Sequence, residues 1–457
     1  MERRRVHIIT MGCQMNVYDS EQMERILAPM NYRPTSNPDK ADLILVNTCS
    51  VREKAEHKVY SCLGRLERQK RKRPELIIGV GGCVAQQEGE RILKAAPHVD
   101  MVFGTFAYRR LPNLLRAVAE KKKRIVDIDM AGTVEPLHTW PSEFQEGRAT
   151  AFVTIMSGCE NYCSYCIVPY VRGREISRKP EGILEEVEHL VEKGVREVTL
   201  LGQNVNSYGA KDGHGLGFVS LLEAVNHIRG LHRVRFTTSH PKDLSDRLIR
   251  AFGRLEKLAP HVHLPVQCGA DRILRRMNRG YTRQYYLSRV NALREVRPDV
   301  AITSDIIIGF PGEEEADFEE TLSLVESVRF DNLYTFKYSD RPHTPARKFR
   351  NKVDEKVKGE RFTRLMELQA KITLEKHRSL IGTVQEVLVE SPSKRRGDQM
   401  AGRTPCNKVV NVADMTAPVG QVVRVSIVQA FSHSLLGSLK RCGSQDRGPK
   451  GGILDAA

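Results

Sequence analysis

Ser157-Gly158-Cys159-Glu160-Asn161-Tyr162-Cys163-Ser164-Tyr165-Cys166 sets three thiols in one ten-residue stretch, with the spacing C-x3-C-x2-C. A loop this short wraps a single compact site. A structural zinc would add a fourth Cys or His nearby, and none occurs in the next twenty residues. Three ligands on a four-iron cluster leave one iron free to take another molecule. Tyr165, just before the last thiol, offers an aromatic face beside that iron. The stretch follows a strand-like run at Phe152–Met156 and opens a series of alternations. Further strands are predicted at Glu197–Leu201, Arg233–Thr237, Val262–Val266, Ile302–Ile308 and Leu333–Phe336. Helical stretches lie between, at Pro180–Lys193, Leu244–Leu255, Thr282–Val296 and Glu315–Val328. Six β-α units predict an open, partial barrel rather than a closed eightfold one. Asp354 to Leu380 reads as a long charged helix.

Upstream, strand-like runs at Val6–Thr10, Asp42–Asn47, Glu75–Val80 and Val99–Phe103 alternate with polar helical stretches. That pattern predicts an open parallel α/β sheet. Cys13, Cys49 and Cys83 each follow directly on one of these strands. The carboxyl ends of parallel strands share one edge, where ligands bind, so the three thiols are expected to converge. They could hold zinc with water, or an iron–sulfur cluster with one open iron. The alternative for each is an ordinary buried cysteine; Cys62, which follows no strand, is read that way. Downstream, Thr383–Glu390 and Gln421–Ile427 alternate with period two, which predicts a small antiparallel β-barrel.

The 457 residues are 40% hydrophobic and carry a net charge of +16. The charge concerns partners, not fold. It suits a polyanion such as RNA, with an acidic membrane surface as the competing reading. No run approaches the ~18 apolar residues of a membrane span, and the apolar run after Met1–Arg5 is too short for a signal peptide. A cytoplasmic protein without a membrane partner is expected. Ten cysteines in such a chain suggest metal or catalytic sites rather than disulfides. Between 376 and 441 there are ten Lys/Arg and four Asp/Glu.

With both cysteine sets in one chain, the sequence resembles the methylthiotransferases of the radical S-adenosylmethionine (SAM) superfamily. The first carrying segments are Met11-Gly12-Cys13-Gln14-Met15-Asn16, Asn47 through Ala55, and Gly81-Gly82-Cys83-Val84-Ala85-Gln86. Cys159 through Glu175, Leu201 through Tyr208 and Thr238-Ser239-His240-Pro241 continue the match. His263 through Gln267 and Ile308 through Glu313 complete it. The tail resembles a TRAM domain, an RNA-binding barrel. Cys268, where the family usually has Ser, departs from the pattern, as do Asp340 and His343, where Pro and Gly are usual.

The resemblance implies an α/β fold in parts. A methylthiotransferase domain spans 1–120, a linker 121–147 and a partial (β/α)6 radical SAM barrel 148–378; a TRAM-like barrel covers 379–441 and a disordered tail 442–457. It implies two 4Fe-4S clusters, one on Cys159, Cys163 and Cys166 and one on Cys13, Cys49 and Cys83. SAM would serve both as methyl donor and as source of a 5′-deoxyadenosyl radical. Tyr165, Gln203, Asn204 and Ser239 are candidate SAM contacts, and the Gly309-Phe310-Pro311-Gly312 turn is a weaker one. The expected reaction is methylthiolation at carbon 2 of an isopentenylated adenosine beside the tRNA anticodon. Alternatives within the family act on a threonylcarbamoyl-adenosine in tRNA or on a ribosomal-protein aspartate. A monomer is expected, with a tRNA anticodon stem-loop, an electron donor and a sulfur source as partners. Lys394-Arg395-Arg396 and Arg403 are candidate phosphate contacts.

Overall fold

The computed structural model describes residues 3–50, 53–121, 123–131, 147–211, 216–393, 399–413 and 417–440. The chain divides into two compact units, Met1–Thr373 and Leu374–Ala457.

The first unit opens with six parallel strands: β1 Arg4–Thr10, β2 Tyr32–Pro34, β3 Leu43–Thr48, β4 Ile77–Gly82, β5 Met101–Phe103 and β6 Ile125–Asp127. Their order is β2-β1-β3-β4-β5-β6. The sequence runs predict β1, β3, β4 and β5; β2 and β6 are not among them. β6 lies inside the stretch read as linker, so that reading is corrected for 125–127. Helices α1 Gln14–Leu27, α2 Glu53–Lys72, α3 Cys83–Glu88, α4 Glu90–Ala95 and α5 Leu111–Lys121 cover both faces. Every residue of β3 is buried, as an apolar run in a doubly covered parallel sheet requires. Leu43 and Leu45 pack with α1 and α5. Ile44 and Val46 pack with α2 and α4 on the opposite face. The strand order reverses between β1 and β3, a switch point where α/β sheets bind ligands.

The barrel strands are β7 Thr150–Thr154, then, after the short pair β8 Met156–Ser157 and β9 Ile176–Ser177, β10 Glu197–Leu201, β11 Arg233–Phe236, β12 His261–His263, β13 Ala301–Ile308 and β14 Asn332–Lys337. β7-β10-β11 and β12-β13-β14 are parallel ladders, joined by a parallel bridge between Val234 and Leu258. Among the described residues β7 and β14 do not pair, so six strands form an open barrel. Helices α6 Val168–Arg172, α7 Pro180–Glu192, α8 Phe218–Asn226, α9 Asp246–Arg254, α10 Asp271–Arg276, α11 Arg283–Val296, α12 Glu315–Val328 and α13 Glu355–Arg378 follow in chain order. α7 to α9 and α11 to α13 share one apolar core with the strands.

The second unit holds a closed barrel of β15 Val384–Pro392, β16 Met400–Arg403, β17 Val409–Val412, β18 Val422–Ala430 and β19 Leu435–Leu439. Val387, Val389, Val410, Val412, Val425, Ile427 and Leu435 fill it, the inward half of each period-two strand. The expected antiparallel barrel is corrected at one seam: β17 and β19 run parallel, while the other pairings are antiparallel.

Candidate metal centres

Cys13, Cys49 and Cys83 follow β1, β3 and β4, three neighbouring strands at the switch point. Gly12 lets the first two meet: at its φ of +141° an added Cβ would lie 2.3 Å from the Cys49 Cβ. A polar lattice stitches the loops. The Asn16 amide donates to Asn47 Oδ1 and to the Thr48 carbonyl, each at 3.0 Å. Thr48 Oγ1 donates to the Gly81 carbonyl at 2.6 Å. Its hydroxyl also accepts from the Val84 and Ala85 amides at 3.2 and 3.3 Å. Cys13 and Cys49 share a hydrogen bond that brings the Cys13 thiol down to about 6; burial opposes this and the Arg172 guanidinium aids it. Burial pushes the Cys83 thiol up, against the pull of Arg172. Cys83 packs on Ile167 and Val171, residues that continue the other cysteine loop.

That loop is the excursion between β8 and β9, which pair antiparallel and pin its two ends. Gly158 stands at φ +82°, where an added Cβ would lie 1.8 Å from the Arg174 carbonyl oxygen. Its amide donates to Gln203 Oε1 at 2.6 Å. The Ser164 amide donates to the Met277 carbonyl at 3.0 Å and the Cys166 amide to the Cys163 carbonyl at 2.9 Å. Burial pushes the Cys159 and Cys166 thiols up, to about 11 and 12, and the neighbouring Cys163 adds to both rises. Arg279, only 4% exposed, donates to Cys163 Sγ at 3.2 Å and to the Pro265 carbonyl at 2.7 Å. No local pattern flags Arg279, which arrives from the loop after α10. Among the described residues, no three Cys, His, Asp or Glu side chains stand in a metal-holding arrangement.

The second trio lines a cavity of about 1690 Å³ that also takes in Tyr165, Gln203, Ser239 and His240. Ser239 Oγ and His240 Nε2 are buried without a hydrogen-bond partner among the described residues. Burial, with Arg279 and Lys242 nearby, pushes His240 down to about 2. Its Nδ1 accepts from the Lys242 amide at 3.3 Å, which leaves Nε2–H as a neutral donor. Unmet polar groups beside three thiols suit a polar cofactor. Asn204 is not part of the lining. Its amide donates to Asp243 at 2.8 Å, and its Oδ1 is buried without a hydrogen-bond partner among the described residues. The Gly309–Gly312 turn also stays outside the lining, with Phe310 in an apolar cluster beside Tyr338. His343 keeps the left-handed backbone at φ +66°, its ring 5.9 Å from that of Tyr170. Asp340 accepts from the Tyr338 hydroxyl at 2.9 Å. Buried Cys268 lies 3.4 Å from Thr321 Oγ1. In the second unit Arg403 meets Asn407 Oδ1 at 3.1 Å and Glu390 at 3.5 Å. Lys394-Arg395-Arg396 lie outside the described residues.

Three family models match the chain: uncharacterized protein family UPF0004 over residues 5–104, the radical SAM superfamily over 153–325 and the TRAM domain over 378–440. The chain is 52% identical to a tRNA-2-methylthio-N(6)-dimethylallyladenosine synthase of Desulfosudis oleivorans, over 95% of this chain and 96% of that one. It is 54% identical to the protein of the same name from Geobacter metallireducens, over 95% and 98%. Among solved structures it is similar in fold to a radical S-adenosylmethionine methyltransferase, TsrM, from Kitasatospora setae, with cobalamin and a 4Fe-4S cluster bound. There the TM-score is 0.56 at 13% identity, covering 84% of this chain and 81% of the other.

Proposed function

The chain belongs to the tRNA-2-methylthio-N(6)-dimethylallyladenosine synthase family, and from that premise we propose that it methylthiolates carbon 2 of N6-isopentenyladenosine beside the anticodon of tRNA. The observation that carries this reading is the pairing of two cysteine trios in one compact unit, one trio opening onto the cavity. In this reading Cys159, Cys163 and Cys166 hold one 4Fe-4S cluster and Cys13, Cys49 and Cys83 hold the other. When bound, the clusters supply the electron that cleaves SAM to a carbon radical and the sulfur that is transferred. The target C–H is not acidic, so no side-chain base would remove its proton usefully; among the buried groups of the cavity none is asked to. What the chain's own residues do is bind and orient. Tyr165, Gln203, Ser239 and the neutral His240 are polar groups placed to hold SAM. Arg279 donates to Cys163 and to a loop carbonyl, which fixes the radical loop to the barrel wall. α6 packs on Cys83 and so keeps the sulfur-carrying loop next to the radical loop. The reaction draws an electron and a sulfur atom from outside the chain. A tRNA substrate supports a cytoplasmic location for the enzyme. Among the described residues no helix is long and apolar enough to cross a membrane.

The test is anaerobic turnover of the reconstituted chain with SAM, dithionite and an isopentenylated anticodon stem-loop, read by nucleoside mass spectrometry. A methylthio gain on that adenosine is expected. Formation of 5′-deoxyadenosine with no such gain would overturn the substrate assignment, and no 5′-deoxyadenosine would overturn the radical chemistry.

A further inference from the structure

The cavity at the radical loop is larger than one cofactor needs. Ligand pockets commonly run to ~300–1,000 Å³, and this one is about 1690 Å³. A second part of its lining comes from β14 and the first turns of α13. On β14, Tyr334 and Phe336 stand in register with Asp305 and Ile307 of β13, and all of these line the cavity. They share one face of the sheet, since side chains alternate along a strand. The Tyr334 ring meets the His263 ring edge to face at 5.7 Å, yet Tyr334 stays 44% exposed. On α13, Lys356, Gly359, Thr363 and Met366 line the same cavity. They recur at spacings of three and four, so one stripe of the helix faces it.

The charges of this wall are unevenly matched. Lys352 pairs with Asp340 and Lys358 with Glu355. Lys337 and Lys356 are exposed, and among the described residues no carboxylate holds either ammonium, Glu360 of the same lining included. Lys337 Nζ lies against α13, 3.4 Å from where a Cβ on Gly359 would stand, one turn beyond Lys356. An exposed aromatic ring beside two unmatched cations suits a nucleotide, whose base stacks while its phosphates meet the cations. We propose that this wall is the RNA subsite of the cavity: Tyr334 stacks the target base, and Lys337 and Lys356 hold the phosphates beside it. Phe336 and Met366, half-buried in the same lining, receive the isopentenyl chain. This rests on the reading that the substrate is an isopentenylated RNA.

The experiment uses the full reconstituted chain, kept anaerobic without reductant, and an anticodon stem-loop with or without the isopentenyl group. Binding is read by fluorescence anisotropy across a salt series, and iron content checks the folding of each variant. Tyr334→Leu should weaken binding about tenfold, while Tyr334→Phe, which keeps a ring, should bind as the parent does. Lys337→Gln with Lys356→Gln should lower the salt slope by roughly 1.4, at ~0.7 for each phosphate of a single strand. Met366→Ser should narrow the difference between the two stem-loops. Unchanged affinity in Tyr334→Leu, an equal loss in Tyr334→Phe, or an unchanged slope in the lysine pair would overturn the subsite. An unchanged difference in Met366→Ser would overturn the placement of the isopentenyl chain. If Tyr334→Leu does not hold iron, the two exposed lysines decide the matter through the slope. A parent chain that binds neither stem-loop would instead overturn the RNA reading itself.

Discussion

Gly158 confines the radical loop more tightly than any of its thiols. An alanine there would put a methyl 1.8 Å from the Arg174 carbonyl oxygen, at φ +82°. The left-handed backbone alone costs a non-glycine residue on the order of 1–3 kcal/mol, and the β8–β9 hairpin must open to relieve the clash. Gly158→Ala is expected to lose the iron of the radical trio while the N-terminal trio keeps its own, about half the total. Full iron at both sites would show that the loop does not need glycine. Gly158 and the cysteines are legible because they adjoin one another in the chain. Arg279 is not: it reaches Cys163 across 116 residues, and nothing near Met277-Asn278-Arg279 marks it. Gln203 and Asn204 are neighbours in the loop after β10, and the sequence alone does not say which of them lines the cavity.

Helix α1 buries Asn16, Asp19, Ser20, Gln22 and Arg25 along with its apolar residues. A polar face of this kind normally meets water. Here it meets α7 and the start of the barrel: Arg178 donates to Glu186 at 2.7 Å and to the Thr154 carbonyl at 2.5 Å. Arg25 reaches Glu186 at 3.5 Å and the Tyr18 hydroxyl donates to it at 3.4 Å. Glu186 and Arg178 have no solvent exposure. Glu186→Ala would strand buried guanidinium groups and is expected to cost about 3–5 kcal/mol in chemical denaturation. Adding Arg178→Met should recover part of that loss. A double variant no better than Glu186→Ala would mean that the charges are not coupled.

The net charge of +16 acts over the whole molecule. Binding to an anticodon stem-loop is expected to weaken linearly in log–log form with salt, as phosphate contacts release counterions. Arg424 is exposed on β18 of the second unit. If it meets a phosphate, Arg424→Ala should lower the salt slope by roughly 0.7–0.9 without changing SAM cleavage. An unchanged slope would take β18 out of the RNA surface.

By itself the sequence determined whatever depends on neighbours in the chain. Period-two and apolar runs named the strands, and thiols after strand ends named both trios, because hydrophobic pattern and loop spacing are local. The short strands β2 and β6 were not among the strands so named, while β5, as short, was read from the longer apolar run Val99–Phe103. The parallel β17–β19 seam depends on barrel closure. The tertiary structure alone decided which side chains meet. It paired Arg172 with Asp19, buried the polar face of α1 and set Gln203 in the cavity lining. These are choices of packing between distant segments, where burial leaves a charged or polar group no option but the partner the fold supplies.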